Sequence, residues 1–141
     1  MLTHIDAANR PTMVDVSEKA VTRRTAHARA RVTLPPEVRA AIAGDDIMGP
    51  KGPVFHTAII AGVMAAKRTS ELIPFCHPLA LEDCRVTLAL DEPGDVMIDC
   101  RVAVHGKTGV EMEALTGAGA APPTGYEMCK ARSPEIVIPE I

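Results

Sequence analysis

Apolar and polar residues alternate most regularly over residues 26–34, where Ala26, Ala28, Ala30, Val32 and Leu34 interleave with His27, Arg29, Arg31 and Thr33. Successive side chains of a strand point to opposite faces, so this stretch predicts a strand with one apolar and one basic face. The same period returns at Cys84, Val86, Leu88 and Leu90, and again at Val96, Ile98, Cys100, Val102 and Val104. Asp91-Glu92-Pro93-Gly94-Asp95 lies between these arms and supplies turn chemistry, which makes the pair a hairpin. Met13-Val14-Asp15-Val16 predicts a further short strand.

Between the strands the pattern turns helical. Pro35-Pro36 opens and Gly44 closes a short helix, with proline at the start and glycine past the end. Pro53 opens a second helix running to about Lys67. Its middle, AIIAGVMAA (58–66), has little polar face, which implies burial against the sheet or a partner chain. A third helix begins near Gly109 and carries Glu111, Met112, Glu113 and Leu115. Gly117, Gly119, Pro122-Pro123 and Gly125 follow. Inside a helix a glycine costs about 1 kcal/mol and a proline about 3, so a break near residue 122 is expected. The order of elements predicts an α+β domain over residues 1–141, an antiparallel sheet with helices packed on one face.

Composition narrows the functional classes. Phe55, Phe75 and Tyr126 are the only aromatics, and the net charge is −3. A nucleic-acid surface built on stacking and basic excess is therefore not expected. No apolar run is long enough to span a membrane, and MLTHIDAANRP lacks the apolar core of a secretory leader. Cys76, Cys84, Cys100 and Cys129 show no C-x-x-C spacing, so they read as reduced thiols of a cytoplasmic protein.

Two stretches invite chemistry. HGKTGVEME (105–113) puts Lys107 between two glycines at a strand-to-helix junction, but Arg101 stands where a phosphate loop needs its first glycine. Partial phosphate binding and a plain turn with an exposed lysine remain equal readings. In IPFCHPL (73–79), Cys76 and His77 sit between Pro74 and Pro78. A zinc site would need convergent partners at a recognised spacing, which His56, Cys84 and His105 do not supply. Neighbours on an extended segment point to opposite sides, so Cys76 and His77 make a poor acid–base pair. A pinned loop with a buried thiol is the reading that spacing alone favours. Lys51, Lys67 and Arg68 flank the second helix and could meet a phosphate, while Glu127 and Lys130 share one face of the last helical segment.

Taken together, LTHID, MVDVSEKAVTRR, AAKRTSELIPFCHPL, GKTGVEMEALT and YEMCKA resemble the MoaC family, the cyclic pyranopterin monophosphate synthases of molybdenum-cofactor biosynthesis. The resemblance covers nearly the whole chain. It implies a ferredoxin-like subunit assembled as a homohexamer, a trimer of dimers, with active sites between subunits. It implies a lyase acting on 3′,8-cyclo-7,8-dihydroguanosine 5′-triphosphate, a purine-derived small molecule, with no cofactor and no metal. Matched position by position, Phe75, Cys76, His77, Met112 and Glu113 fall on the family's substrate-binding segments. Lys51, Glu111, Glu127 and Lys130 fall on its catalytic positions, and Lys67 and Arg68 are assigned to the triphosphate.

The chain also departs from the family. Glu127 stands where a catalytic aspartate is usual, Gly52-Pro53 where Gly-Asp is usual, and Ile59 where an arginine is usual. Pro122-Pro123 interrupts the expected helix ahead of Glu127 and Lys130, and no glycine- and lysine-rich tail follows Ile141. These departures keep a second reading open: a weak or inactive paralogue that retains the fold and nucleotide corner as a binding or assembly subunit.

Overall fold

The computed structural model describes residues 3–91 and 94–141. The predicted alternating strand is β1 (Thr22–Thr33), and the predicted hairpin is β5 (Asp83–Leu90) with β6 (Val96–Gly106). β1 pairs antiparallel with β6 from Thr22 opposite Gly106 to Val32 opposite Val96. A last strand, β7 (Val137–Glu140), adds to the other side of β1 at Arg31 and Thr33, giving the order β5-β6-β1-β7. Two long helices, α2 (Val54–Lys67) and α4 (Glu111–Cys129), pack on each other, with α4 over β1 and β6 and α2 over β5. Strand, helix, two strands, helix, strand in this order is the split βαβ, ferredoxin-like arrangement.

Alternation does what the sequence predicts. Ala28, Ala30 and Val32 of β1 are buried with Ile98, Cys100, Val102 and Val104 of β6, beneath the helices. The opposite face is polar, where Arg29 lies 2.9 Å and His27 2.6 Å from Asp99. The helices cross at glycines, because there is no room for a side chain. A Cβ on Gly62 would stand 3.1 Å from the Gly117 carbonyl oxygen, and one on Gly117 would stand 2.5 Å from Cys100 Sγ.

Some local expectations fail for identifiable reasons. The helix opened by Pro36 ends at Arg39 (α1, Pro36–Arg39) rather than near Gly44. Gly44, at φ +65°, instead forms the turn between β2 (Ile42–Ala43) and β3 (Asp46–Gly49), which continues to β4 (Gly52–Pro53) as a small second sheet. A positive φ suits a two-residue hairpin as well as it suits a helix end. Residues 13–16 form no strand, and the Val14 carbonyl accepts a hydrogen bond from the His77 ring. A one-turn helix, α3 (Thr69–Leu72), follows α2. In the β5–β6 turn, Glu92 and Pro93 lie outside the described residues. Beside them Gly94 has φ +89°, and an Asp91 carboxylate oxygen accepts the Asp95 N–H at 2.9 Å.

The expected break near residue 122 does not occur: α4 runs unbroken through Pro122 and Pro123. Each proline removes one backbone bond and crowds the carbonyl four residues back. Those carbonyls belong to Ala118 and Gly119, whose small side chains leave space for adjustment. Tertiary packing supplies the rest. Ala114, Ala118, Ala121, Pro122, Met128 and Cys129 are all buried, and the packing of this face against the sheet and α2 offsets the local penalty.

The start of α2 carries a long-range cap. Pro53 offers no side chain to the first turn, but Asp46 of β3 accepts the Phe55 N–H at 2.6 Å and the His56 N–H at 3.1 Å. Burial pushes the Asp46 carboxyl up, yet these N–H groups and the His56 ring outweigh it and hold it below its ordinary value. Asp46→Ala is expected to lower stability by about 1–2 kcal/mol at neutral pH, the usual worth of a cap. A carboxylate with a lowered folded pKa stabilises above its unfolded pKa and loses that contribution as pH falls through the folded value. Urea unfolding of wild type and variant should therefore converge in acid. No helix of the described residues is long and apolar enough to cross a membrane.

Candidate active site

The Pro74–Pro78 corner leaves α3 and faces the N-terminal turn of α4 across a cleft of about 730 Å³. Phe75, Cys76, His77, Glu111 and Met112 line it together, along with His4, Lys19 and Thr108. Two side chains pin the N-terminal segment beside the cleft. His77 Nε2 lies 2.6 Å from the Val14 carbonyl oxygen, and Lys107 Nζ lies 2.8 Å from that of Ser17. A carbonyl only accepts, so the His77 proton is on Nε2. Lys107 is thus tied to backbone, while Thr108 and Gly109 of the same stretch line the cleft.

Cys76 and His77 turn to different partners, as extended neighbours do. The Cys76 thiol donates to Glu113 Oε1 at 3.5 Å. Burial first, and then the charge of Glu113, push that thiol up to about 11, which makes it a poor nucleophile at neutral pH. Glu113 itself is only 3% exposed, and burial raises its carboxyl. Its second oxygen is buried without a hydrogen-bond partner among the described residues. Glu113 sits behind the cleft wall, while its neighbours Glu111 and Met112 line the cleft.

A second cluster forms at the far end of α4. The β3–β4 hairpin carries Lys51 at its tip, where Gly52 adopts φ +106°. A Cβ on Gly49 would stand 3.5 Å from the Met128 carbonyl oxygen, so the hairpin lies directly against the last turn of α4. Lys51 Nζ reaches Glu127 Oε1 at 3.0 Å, and Lys130 Nζ reaches Glu127 Oε2 at 2.7 Å. The hydrogen bonds and charges of Lys130 and Lys51 hold the Glu127 carboxyl below its ordinary value, and Glu127 in turn raises Lys130. All three side chains are half exposed. Lys51 and Glu127 border a depression of about 420 Å³ with Thr57, Pro123 and Thr124.

These two clusters are not one site within a chain. A helix rises about 1.5 Å per residue, which puts Glu111 and Glu127 about 24 Å apart along α4. Lys67 lies in a third depression, of about 410 Å³, beside Cys84, and Arg68 follows it at the end of α2. Sequence reasoning missed His4, Lys19 and Thr108 as lining residues. No period marks them, although each falls in a stretch quoted for the family resemblance: His4 in LTHID, Lys19 in MVDVSEKAVTRR and Thr108 in GKTGVEMEALT.

The MoaC family profile matches residues 13–141. The chain belongs to the MoaC family. It is 53% identical over 134 residues to the cyclic pyranopterin monophosphate synthase of Xanthomonas axonopodis pv. citri, covering 94% of this chain and 80% of that protein. Its identity to the enzyme of the same name in Xanthomonas oryzae pv. oryzae is 52% over 134 residues, with the same coverage. A relative in Dictyostelium discoideum, molybdenum cofactor biosynthesis protein 1, is 46% identical over 146 residues. That alignment takes in 92% of this chain but only 23% of the Dictyostelium protein, so the chain spans under a quarter of that relative. Within this MoaC chain, both family motifs singled out earlier, IPFCHPL and GKTGVEMEAL, converge on the larger cleft.

Proposed function

We propose that this chain is a cyclic pyranopterin monophosphate synthase of the cytoplasm, converting 3′,8-cyclo-7,8-dihydroguanosine 5′-triphosphate to cyclic pyranopterin monophosphate and pyrophosphate. The observation that carries the reading is the Glu127 carboxylate held between the ammonium groups of Lys51 and Lys130, 3.0 and 2.7 Å away. At neutral pH Glu127 rests as an anion and Lys130 as a cation. Lys130 and Lys51 then enter the reaction as proton donors and phosphate partners, and Glu127 is the base that receives a proton. Phe75, Cys76, His77 and Met112 hold the purine-derived ring, Glu111 assists from the helix start, and Lys67 and Arg68 take the triphosphate.

The 24 Å between the clusters, estimated from the helix rise, supports a site completed by a second copy. Ile60 and Met64 of α2 and Met112 and Leu115 of α4 are exposed, and we take that side of the helical layer as the contact face. A second subunit laid antiparallel on that face brings its Lys51, Glu127 and Lys130 to the Pro74–Pro78 corner of the first. The homohexamer is three such dimers. The weak-paralogue reading loses its main motive, because α4 continues through the prolines and Glu127 reaches both lysines.

The test is direct: purified protein with the cyclic dihydroguanosine triphosphate, followed by chromatography for the pterin and a coupled assay for pyrophosphate. Equal amounts of both products are expected. Bound substrate without either product would overturn the assignment.

A further inference from the structure

The face of the sheet turned away from the helices is basic, and neither cluster at the ends of α4 draws on it. Register sets the charges of three strands side by side. His27 of β1 and Arg85 of β5 both stand directly opposite Arg101 of β6, one on each side. The next row on the same face is short, with Thr25 and Asp83 flanking Ala103. Arg23 closes the far side, and the result is a depression of about 450 Å³. Three arginines and His27 line it against one carboxylate, Asp83. The acids nearby are already engaged. Asp83 lies 3.0 Å from Arg85, and Asp99 lies 2.6 Å from His27 and 2.9 Å from Arg29. Glu82 lies 2.7 Å from His105. Arg23 and Arg101 are exposed and make no ion pair among the described residues. Like charges directly opposite destabilise a sheet, so Arg85 and Arg101 are held together against their own repulsion.

We propose that this face is a binding site for an oligophosphate anion, a chain of two or three phosphates laid across the strands, with Arg101 at its centre and Arg85 and Arg23 at its sides. An anion between the guanidinium groups turns their mutual repulsion into a shared attraction. Adjacent strands lie about 4.8 Å apart, so the row from His27 to Arg85 spans about 10 Å, the reach of a short chain rather than a polymer. Each guanidinium presents a planar fork that meets two phosphate oxygens at once and keeps its charge at any working pH. No aromatic side chain lines the depression, so nothing there stacks on a base. The site therefore reads the phosphate chain and ignores what it carries. A second copy of this chain is a poorer occupant, because a twofold axis over Arg101 would set cation on cation. The site lies across the sheet from the helices and does not depend on the reaction proposed for the other face.

Phenylglyoxal, which modifies accessible arginines, tests this on the intact assembled protein without any turnover. Mapped by mass spectrometry, modification of Arg85 and Arg101 should slow when inorganic pyrophosphate or tripolyphosphate is added. Arg39, which donates to the Leu34 carbonyl at the other end of β1, is the control and should stay unprotected. GTP should protect no better than tripolyphosphate, since only the phosphate chain is held. Added salt should weaken the protection, as screening of exposed charges requires. In Arg101→Gln the tripolyphosphate concentration that half-protects Arg85 should rise at least about tenfold, the loss expected for one charge-assisted hydrogen bond. Arg101→Lys, which keeps the charge and loses the fork, should fall between. Both variants change an exposed side chain, and circular dichroism should show the fold intact. Equal protection of Arg39, an unmoved midpoint in Arg101→Gln, or GTP binding far tighter than tripolyphosphate would each overturn the proposal. So would protection by polyglutamate in place of tripolyphosphate, which would assign the face to an acidic polypeptide. Arginines 85 and 101 unreactive with no anion present would also overturn it, by showing the face covered by another copy.

Discussion

Glu127→Gln is expected to lower kcat by about 10²- to 10⁴-fold, the range for loss of a positioned proton-transfer group. Glutamine keeps the length of the side chain and its ability to accept from one lysine, but it removes the negative charge. Lys51 and Lys130 then face each other without the carboxylate that holds them 3.0 and 2.7 Å from a common partner. Two ammonium groups so placed repel, and each is released to a range of rotamers. Because all three side chains are half exposed, the substitution should leave the fold and oligomeric state intact, which circular dichroism and light scattering would verify. Glu127→Asp is the informative companion. Its carboxylate retreats by one methylene from lysines that Glu127 already touches, and displacements near 1 Å can cost about a hundredfold. Turnover should fall rather than rise. A gain over the natural glutamate would mean that the contacts seen here are not those of the working site.

How far the chain could be read without coordinates differs by feature. The sheet and α2 were legible because one face is buried, and burial on one face writes a period of two or of 3.6 into the sequence. The continuity of α4 was not legible. Pro122-Pro123 signals a break locally, and only the packing of Ala118, Ala121 and Pro122 beneath neighbouring elements overrides it. Gly44 was read as a helix end and proved to be a hairpin turn, since a positive φ serves both. The site divides in the same way. Glu127 and Lys130 share a face by simple helical spacing, and they do pair. Lys51 joining them is a contact over 76 positions of sequence that no period encodes. Glu113, matched by resemblance to a substrate segment, turned out to lie buried against Cys76, behind the residues that line the cleft.

The separation of the two clusters yields the most discriminating result expected. His77→Ala disables the corner, and Lys130→Ala disables the cluster at the other end of α4. Each variant alone should show almost no turnover. If a site takes its corner from one subunit and its lysines from another, mixing the two variants restores some intact sites. In a mixed dimer, one composite site collects both defects and the other collects neither. Random reassociation makes half the dimers mixed, so about one quarter of all sites recover. The arithmetic depends only on the two clusters of one site belonging to different chains, as proposed from the roughly 24 Å between Glu111 and Glu127 along α4. The subunits must be dissociated and reassembled together, for example by dilution from mild denaturant, with each variant taken through the same cycle alone. Recovery near a quarter of wild-type activity supports a site shared between subunits. A mixture as inactive as its parents, at the same oligomeric state, would mean that one chain brings both clusters together by a rearrangement of α4.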